Sequence, residues 1–169
     1  MSIEHEVVGW SDATLELDDT DFAYAGKFRL PSGKAVTRDT DTGDTVAVLS
    51  FSPDRADPDG VRVRYFTARD DLRGEGIGSS LLGFASDRLL ERYGTVRISV
   101  NNPYAYEAAH KAGFVWTGDT AGLAELVLRK PAEDTDTDTD ERYVEGLRRF
   151  ADRDLTDGEE AFVRRKLRD

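Results

Sequence analysis

The sequence contains no cysteine and only two histidines, His5 and His110, among its 169 residues. The absence of cysteine excludes a disulfide framework, thiolate zinc ligation and a cysteine nucleophile. Because two histidines are too few for a histidine-based metal cluster, no metal site is expected. No run of eighteen apolar residues occurs, and the N-terminus MSIEHEVVGW lacks the basic and then apolar layout of a secretory signal. We therefore expect a cytoplasmic protein that does not enter a membrane.

Basic residues are scarce, with 23 lysines and arginines against 34 aspartates and glutamates. Aspartate outnumbers glutamate 22 to 12, and arginine outnumbers lysine 18 to 5. Such a surface stays hydrated when 1 M salt shortens the reach of electrostatic forces to about 3 Å, so the composition is typical of a salt-adapted organism. The arginines alternate with acidic residues along the chain, so we expect no nucleic-acid partner.

The first 68 residues have the pattern of strands separated by turns, within a length that fits one domain and an appendage. Gly, Pro, Asp and Ser cluster in the segments LPSGK, DTDTGD and SPDRADPDG, which predict turns. The predicted strands are residues 13–17, 22–30, 45–51 and 61–68. We expect these strands to be antiparallel.

The apolar period becomes helical after Ser79, and Gly94 is well placed as a C-terminal cap of that helix. The helical stripe consists of Leu81, Leu82, Ala85, Leu89 and Leu90. Residues 95–100 alternate again and follow a helical crossover, so this strand is expected to run parallel to residues 61–68.

A second helix is predicted over residues 103–112, with Asn102 as its cap, Pro103 in its first turn and Gly113 at its end. The segments FVWTG and LAELVLRK then predict two closing strands.

The C-terminal part begins with PAEDTDTDTDE, residues 131–141, whose acidic low complexity predicts a solvated linker. It divides a domain of residues 1–130 from a helical extension of residues 142–169. Two short amphipathic helices are expected in the extension, the second opened by a capping box of Thr156 and Glu159. These helices pack on their own domain, on a second copy in a homodimer, or on another protein.

The stretch LRGEGIGSSLL, residues 72–82, places three glycines directly before a helix. Successive backbone N–H groups at a helix N-terminus form a seat for phosphate oxygens. A P-loop is not indicated, since Gly78 is followed by Ser79 and no lysine lies nearby. The spacing G-x-G-x-G also departs from the dinucleotide pattern G-x-G-x-x-G. A tight strand-to-helix connection without a ligand is the structural alternative.

Residues 73–78, RGEGIG, match the R/Q-x-x-G-x-G/A signature of the GNAT acetyltransferases, and the block NNPYAYEAAHKAGF is similar to that family's second motif. Over residues 60–129 the chain therefore resembles this family. The resemblance implies an α+β fold with a central mixed, mostly antiparallel sheet that is splayed at the parallel pair 61–68 and 95–100. Helices flank this sheet, and the C-terminal helices add a hairpin. Because residues 13–60 show no helical stripe, loops, the hairpin or a second subunit would wall the acceptor pocket.

The resemblance also implies that acetyl-CoA is the acetyl donor. Backbone groups of Phe66, Thr67 and Ala68 would pair with the pantetheine arm, and Arg73 would add positive charge near the phosphates unless it pairs with a neighbouring aspartate. Asn102 would contact the cofactor or serve only as a helix cap. The pyrophosphate would be held by backbone N–H groups of Gly74, Glu75, Gly76, Ile77, Gly78 and Ser79.

The catalytic acid is the least defined residue, because the family's frequent tyrosine position is Ala109 in this sequence. His110 and Tyr106 are the candidates that lie within a helical turn of it. Either is also typical of a surface or packing residue. The resemblance thus implies transfer of an acetyl group to a primary amine of a small molecule or a protein. A weakly catalytic acyl-CoA-binding module acting through the C-terminal helices, and a nucleotide-binding protein, are the alternatives.

Overall fold

The computed structural model describes residues 1–122, 125–131 and 139–168. The chain forms two compact units, Met1–Val96 and Arg97–Asp169. The domain boundaries expected from composition, at residues 130 and 141, stay predictions. Most of the expected linker, residues 132–138, lies outside the described residues.

The first unit contains four antiparallel strands in sequential order: β1 (Ile3–Ala13), β2 (Ser32–Asp39), β3 (Thr45–Pro53) and β4 (Gly60–Ala68). Short connections join β2 to β3 and β3 to β4. The antiparallel arrangement and the last two strands were predicted from the sequence and are confirmed. In β4, Arg64 is an extra residue opposite the step from Ser50 to Phe51, which makes a bulge.

Two of the strands predicted in this unit are wrong. Residues 14–17 are irregular, and the strand that precedes them is β1. Residues 25–29 form a 3₁₀ turn rather than part of a strand, because Tyr24 has a left-handed backbone with φ of 62° that interrupts an extended chain. The alternation of Phe22, Tyr24 and Phe28 has another cause, since Phe22 and Phe28 turn into the core as a covering segment.

The predicted turn LPSGK is also wrong after its proline, because β2 begins at Ser32. Gly33 lies beneath the ring of Phe51, where a β-carbon has no room. Lys34 is completely buried, and its ammonium donates hydrogen bonds to the carbonyl oxygens of Ala13 (3.0 Å) and Leu30 (2.8 Å). Both residues were assigned to a turn by their type, whereas their packing places them in a strand.

Helix α1 (Ile77–Leu89) contacts all four strands and carries the predicted apolar stripe. Its buried side chains include Leu81, Leu82, Ala85 and Leu89. The prediction that Gly94 caps this helix is wrong, since the helix ends at Leu89 with Leu90 as its C-cap. Gly94 instead approaches Asp59 closely, and its N–H donates to the Asp59 carbonyl at 2.8 Å.

The second unit begins within β5 (Thr95–Val100) and continues with α2 (Pro103–Lys111), β6 (Val115–Ala121) and β7 (Glu125–Lys130). The strand order is β5-β7-β6, and β6 and β7 are antiparallel. Gly113 has φ of 100°, which suits the residue that ends α2. The helix and the three strands of this region confirm the sequence predictions.

Two further helices, α3 (Thr139–Ala151) and α4 (Asp157–Arg168), complete the second unit and pack against α2, while α3 also contacts β6. The last three residues of the expected linker, 139–141, belong to α3. The predicted capping box is present: the Thr156 N–H donates to Glu159 at 3.0 Å, and the Glu159 N–H donates to Thr156 at 3.2 Å. The hairpin therefore packs on its own unit.

The fold class is the predicted one, α+β with a mixed sheet that is mostly antiparallel and contains one parallel pair of strands. Within the described residues, no helix has the length and apolar character needed to cross a membrane.

Candidate functional site

The glycine loop of the first unit leaves open space above its backbone. Gly74 and Gly76 have φ of 85° and 82°, a conformation that favours glycine. A β-carbon at either position would have no described atom within 4 Å. Neither glycine is therefore required by packing on its own chain. What both provide is a tightly turned backbone that a ligand can approach closely.

The N-terminus of α1 lies directly at this loop. Gly76 is the N-cap residue, and the first hydrogen bond inside the helix joins the Ser80 N–H to the Gly76 carbonyl at 3.0 Å. The N–H groups of Ile77 and Gly78 precede that bond, so helix geometry leaves them without an intrahelical acceptor. These groups carry the positive end of the helix dipole. Loop and helix together form a seat suited to an anion.

Charged side chains surround the loop in pairs. Arg73 forms an ion pair with Asp70 at 2.8 Å, and its side chain is 61% exposed. Arg69 pairs with Asp71 at 2.7 Å, which lowers the pKa of that carboxyl. The guanidinium of Arg73 is thus already engaged by an aspartate, as one of the two sequence interpretations expected. Any phosphate at the loop would compete with Asp70 for it.

The end of β4 brings Phe66, Thr67 and Ala68 beside the same helix. Their backbones pair with Leu49, Val48 and Ala47 of β3, so β3 occupies one edge of this segment. The ring of Phe66 lies within ordinary van der Waals distance, 3.8 Å, of a β-carbon placed at Gly78. The first unit therefore brings together the predicted residues 66–68 and 73–79. Pairing with a pantetheine arm stays a prediction.

Asn102 is the N-cap residue of α2 in the second unit. Its side-chain oxygen accepts a hydrogen bond from the Ala105 N–H at 2.9 Å, which caps α2. Such a cap contributes about 1 kcal/mol to stability. Contact of Asn102 with a cofactor stays a prediction.

Tyr106, one of the two candidate acids, is 1% exposed and lies between α2 and α3. Its hydroxyl donates toward the carbonyl oxygens of Arg142 (3.2 Å) and Tyr143 (3.0 Å). Burial, together with the nearby Glu145 carboxylate, raises the pKa of Tyr106 well above its usual value. Its phenol is thus protonated and engaged by the backbone of α3, which is the geometry of a packing residue.

His110, the other candidate, is half-buried and stacks on the ring of Tyr143, with 4.0 Å between ring centroids. Burial lowers the pKa of His110, Glu107 and Asp140 oppose that effect, and Lys166 adds to it. The imidazole is therefore neutral near pH 7 and able to accept a proton. Ala109, at the position of the family's tyrosine, is fully buried.

Glu107, which was not predicted from the sequence, holds the three helices of the second unit together. Its carboxylate accepts a hydrogen bond from the Tyr143 hydroxyl on α3 and forms ion pairs with Lys166 (3.1 Å) on α4 and Lys111 (3.6 Å) on α2. Its side chain is only 12% exposed. The spacing of Glu107 and Lys111, four residues apart on a helix, was the available signal, but it does not reveal the partners on α3 and α4.

Comparison with known proteins identifies the family. Residues 3–114 match the model of the acetyltransferase (GNAT) family. No curated protein matches the sequence.

Solved acetyltransferase structures are similar to this chain at low sequence identity. An IAA acetyltransferase from Bacillus cereus is 16% identical, with a TM-score of 0.50 over 76% of this chain and 98% of that one. A ribosomal-protein-S5-alanine acetyltransferase from Vibrio fischeri is 16% identical, with a TM-score of 0.49 over 60% of this chain and 62% of that one. The chain thus spans less than two thirds of the Vibrio protein.

Proposed function

Because the chain belongs to the acetyltransferase (GNAT) family, we propose that it transfers the acetyl group of acetyl-CoA to a primary amine of a small molecule or a protein. The observation that carries this proposal is the open glycine loop at the N-terminus of α1. The two positive-φ glycines have unfilled space above them, and the N–H groups of Ile77 and Gly78 are directed at it by helix geometry. Both features support a pyrophosphate at this loop, because it needs open backbone and a positive helix end.

In this proposal, residues 74–79 hold the pyrophosphate through backbone N–H groups, and the backbone of residues 66–68 orients the pantetheine arm. Acetyl-CoA supplies an activated acetyl group that an uncharged amine can attack. Arg73 contributes positive charge only to the extent that Asp70 releases it, because the two form an ion pair. Asn102 remains in place as the cap of α2 while it meets the cofactor.

Proton transfer is assigned to His110 rather than Tyr106. Burial keeps the His110 imidazole neutral at pH 7, so it can take up a proton. The Tyr106 hydroxyl, in contrast, already donates to a backbone carbonyl of α3. Orientation of the amine supplies the remainder of the rate without a dedicated acid. The cytoplasmic location, the salt-adapted origin, the homodimer and the absence of a nucleic-acid partner stay predictions from composition and pattern.

The test is a matched pair of glycine substitutions. Gly76 and Gly43 have nearly the same φ, 82° and 78°, and both have open space around a β-carbon. Gly76→Asp places a carboxylate at the proposed phosphate seat, while Gly43→Asp makes the same change in the turn between β2 and β3. Isothermal titration with coenzyme A should show at least about a tenfold loss of affinity for the first variant and none for the second. Equal affinity of both variants would refute the placement.

Activity is tested by thiol release from acetyl-CoA across a panel of primary amines. Turnover with at least one amine, reduced in Gly76→Asp, is the expected result. A specific observation favours the alternative of a weakly catalytic acyl-CoA-binding module: the usual tyrosine position is Ala109, and the nearby Tyr106 is buried in the hairpin. Tight binding of coenzyme A without thiol release for any amine would support that alternative.

A further inference from the structure

A group of aromatic rings lies on the sheet of the first unit, away from the glycine loop. Tyr65 of β4 is its centre, with Tyr24 at 5.8 Å and Phe28 at 6.5 Å between ring centroids. We call Tyr65, Tyr24 and Phe28 the aromatic cluster. Phe28 is fully buried and anchors the cluster in the core, whereas Tyr24 is 56% exposed. The cluster therefore joins the core to the solvent.

A cation already lies over this cluster. The ammonium of Lys27 is 5.7 Å from the centroid of the Tyr65 ring, within the range of cation–π attraction. Lys27 has no ion pair with an acidic side chain in the described part of the chain. The other four lysines, by contrast, donate to carbonyl oxygens or pair with Glu107. The chain itself thus shows that the Tyr65 ring accepts an ammonium group.

The backbone of the cluster is strained to reach this arrangement. Tyr24 is the one non-glycine residue with a positive φ among the described residues. Backbone of this kind is rarely adopted by a bulky residue, and it concentrates at sites that bind ligands. The 3₁₀ turn that follows, residues 25–29, carries Lys27 and Phe28 back to Tyr65. Folding alone would be served as well by an asparagine or glycine at position 24.

An unpaired polar atom lies on the same face of the sheet. Ser50 is the register partner of Tyr65 across β3 and β4, and this residue is only 3% exposed. Its hydroxyl oxygen has no hydrogen-bond partner. Buried hydroxyl groups are nearly always paired, so an unpaired one beside the cluster indicates a missing polar partner.

The centre of the cluster, Tyr65, lies on the face of β4 opposite to the glycine loop. Tyr65 and Phe66 are consecutive in a strand, so their side chains lie on opposite faces. Phe66 faces α1 and the glycine loop, where its ring lies near Gly78. Tyr65 consequently faces away from the proposed phosphate seat. Donor and acceptor can then meet the same strand from its two faces.

We propose that the aromatic cluster binds a cationic group of the acceptor, displacing the ammonium of Lys27. The inference rests on the proposed acetyl transfer and specifies its substrate. Because the attacking amine must be uncharged, the cation on the cluster is a second group of the same molecule. The acceptor is therefore a diamine, a polyamine or a basic peptide, rather than a simple monoamine.

Binding is tested without acetyl-CoA, so that failure of acetyl transfer cannot affect the result. The probe is choline, and its control is 3,3-dimethylbutan-1-ol, which has the same shape without the charge. NMR of the tyrosine ring protons should show saturable shifts at Tyr65 and Tyr24 with choline only. Equal shifts with both probes would overturn the proposal, because shape rather than charge would then decide binding.

The choline affinities of four single-residue variants test whether the cluster is the binding site. Tyr24→Leu should weaken choline binding about fivefold, as expected for the loss of one cation–π contact. Because Tyr24 is exposed, the fold should tolerate this substitution. Tyr65→Phe keeps a ring and should retain binding. Lys27→Gln should bind choline about threefold more tightly, since the resident ammonium is removed. Tyr93→Leu, a tyrosine of the same unit outside the cluster, is the control. Unchanged affinity in Tyr24→Leu and Lys27→Gln would contradict the proposal.

The acceptor class is tested by turnover. The value of kcat/KM for 1,5-diaminopentane should exceed that for pentylamine about tenfold, and Tyr24→Leu should remove most of this preference. Equal values for both amines would refute the cationic acceptor while leaving the acetyltransferase activity in place. The absence of thiol release with every amine would instead contradict the proposed function.

Discussion

The hydroxyl of Tyr106 occupies the space that a β-carbon at Gly146 would need. Gly146 is a buried residue in the middle of α3, a position where glycine is unfavourable by about 1 kcal/mol relative to alanine. The missing side chain lets the Tyr106 ring approach the helix backbone and donate to its carbonyl groups. This contact between α2 and α3 therefore explains a residue that helix propensity disfavours.

Gly146→Ala should destabilise the protein, although the same change in an open helix stabilises it. The added methyl group displaces the Tyr106 ring, and overpacking of this kind costs about 1–3 kcal/mol. Urea unfolding monitored by circular dichroism measures the change. Gly158→Ala in α4 is the control, since its β-carbon meets only the end of the Tyr104 side chain, at 3.2 Å. A stabilised Gly146→Ala variant would show that Tyr106 is not held as described.

Tyr106→Phe should lower stability by about 1–2 kcal/mol, because two carbonyl oxygens of α3 lose their buried donor. Turnover should stay within about twofold of the unmodified protein, since the hydroxyl serves the hairpin. Urea unfolding and steady-state thiol release on the same samples separate the two effects. A large loss of kcat with unchanged stability would return Tyr106 to the role of catalytic acid.

The stability of the protein should fall as the pH drops below the ordinary His110 pKa of about 6.5. Burial lowers the pKa of His110 in the folded protein, so the unfolded chain binds the proton more strongly. The contribution of neutral His110 to the free energy of unfolding is complete above pH 6.5, and it is lost as the pH falls through the folded-state pKa. Unfolding free energies at pH 7.5 and 5.5 should differ less in His110→Gln. His5, whose pKa is also lowered by burial, accounts for part of the remaining difference.

Asp70→Asn should tighten the binding of coenzyme A about two- to fivefold at low salt. The change releases Arg73 from its ion pair and removes a negative charge near the glycine loop. Asp71→Asn removes the same charge but frees Arg69 instead, and serves as the control. Calorimetric titration with coenzyme A compares the affinities of the two variants. The same gain in both variants would mean that net charge matters and Arg73 does not.

The sequence predicted best those elements whose residues repeat regularly. The apolar stripe of α1 reflects burial on one face, and the continuous apolar run of β3 reflects burial on both faces, so position in the sequence is enough to locate them. The glycine loop was predicted because its residues are contiguous. Asn102 as a cap, and the box of Thr156 and Glu159, are likewise local interactions that follow directly from residue type.

Features set by contacts between distant segments were not predictable in this way. Gly33 and Lys34 have the composition of a turn, yet the ring of Phe51 and two distant carbonyl groups place them in β2. The partners of Glu107 on α3 and α4 are 36 and 59 residues away along the chain. The left-handed backbone of Tyr24 has no local signal at all.

Lys34 joins the two ends of the segment between β1 and β2, because its ammonium binds the carbonyl of Ala13 before that segment and the carbonyl of Leu30 near its end. Lys34 thus helps to hold the two ends of the segment together, and changes in loop length cost little once the ends are held. Within residues 14–29, exposed positions such as Tyr24 and Lys27 can therefore be changed without altering strand register, provided that Phe22 and Phe28 keep their places in the core. Variation confined to these exposed positions is accordingly a practical route to altering the proposed cation site.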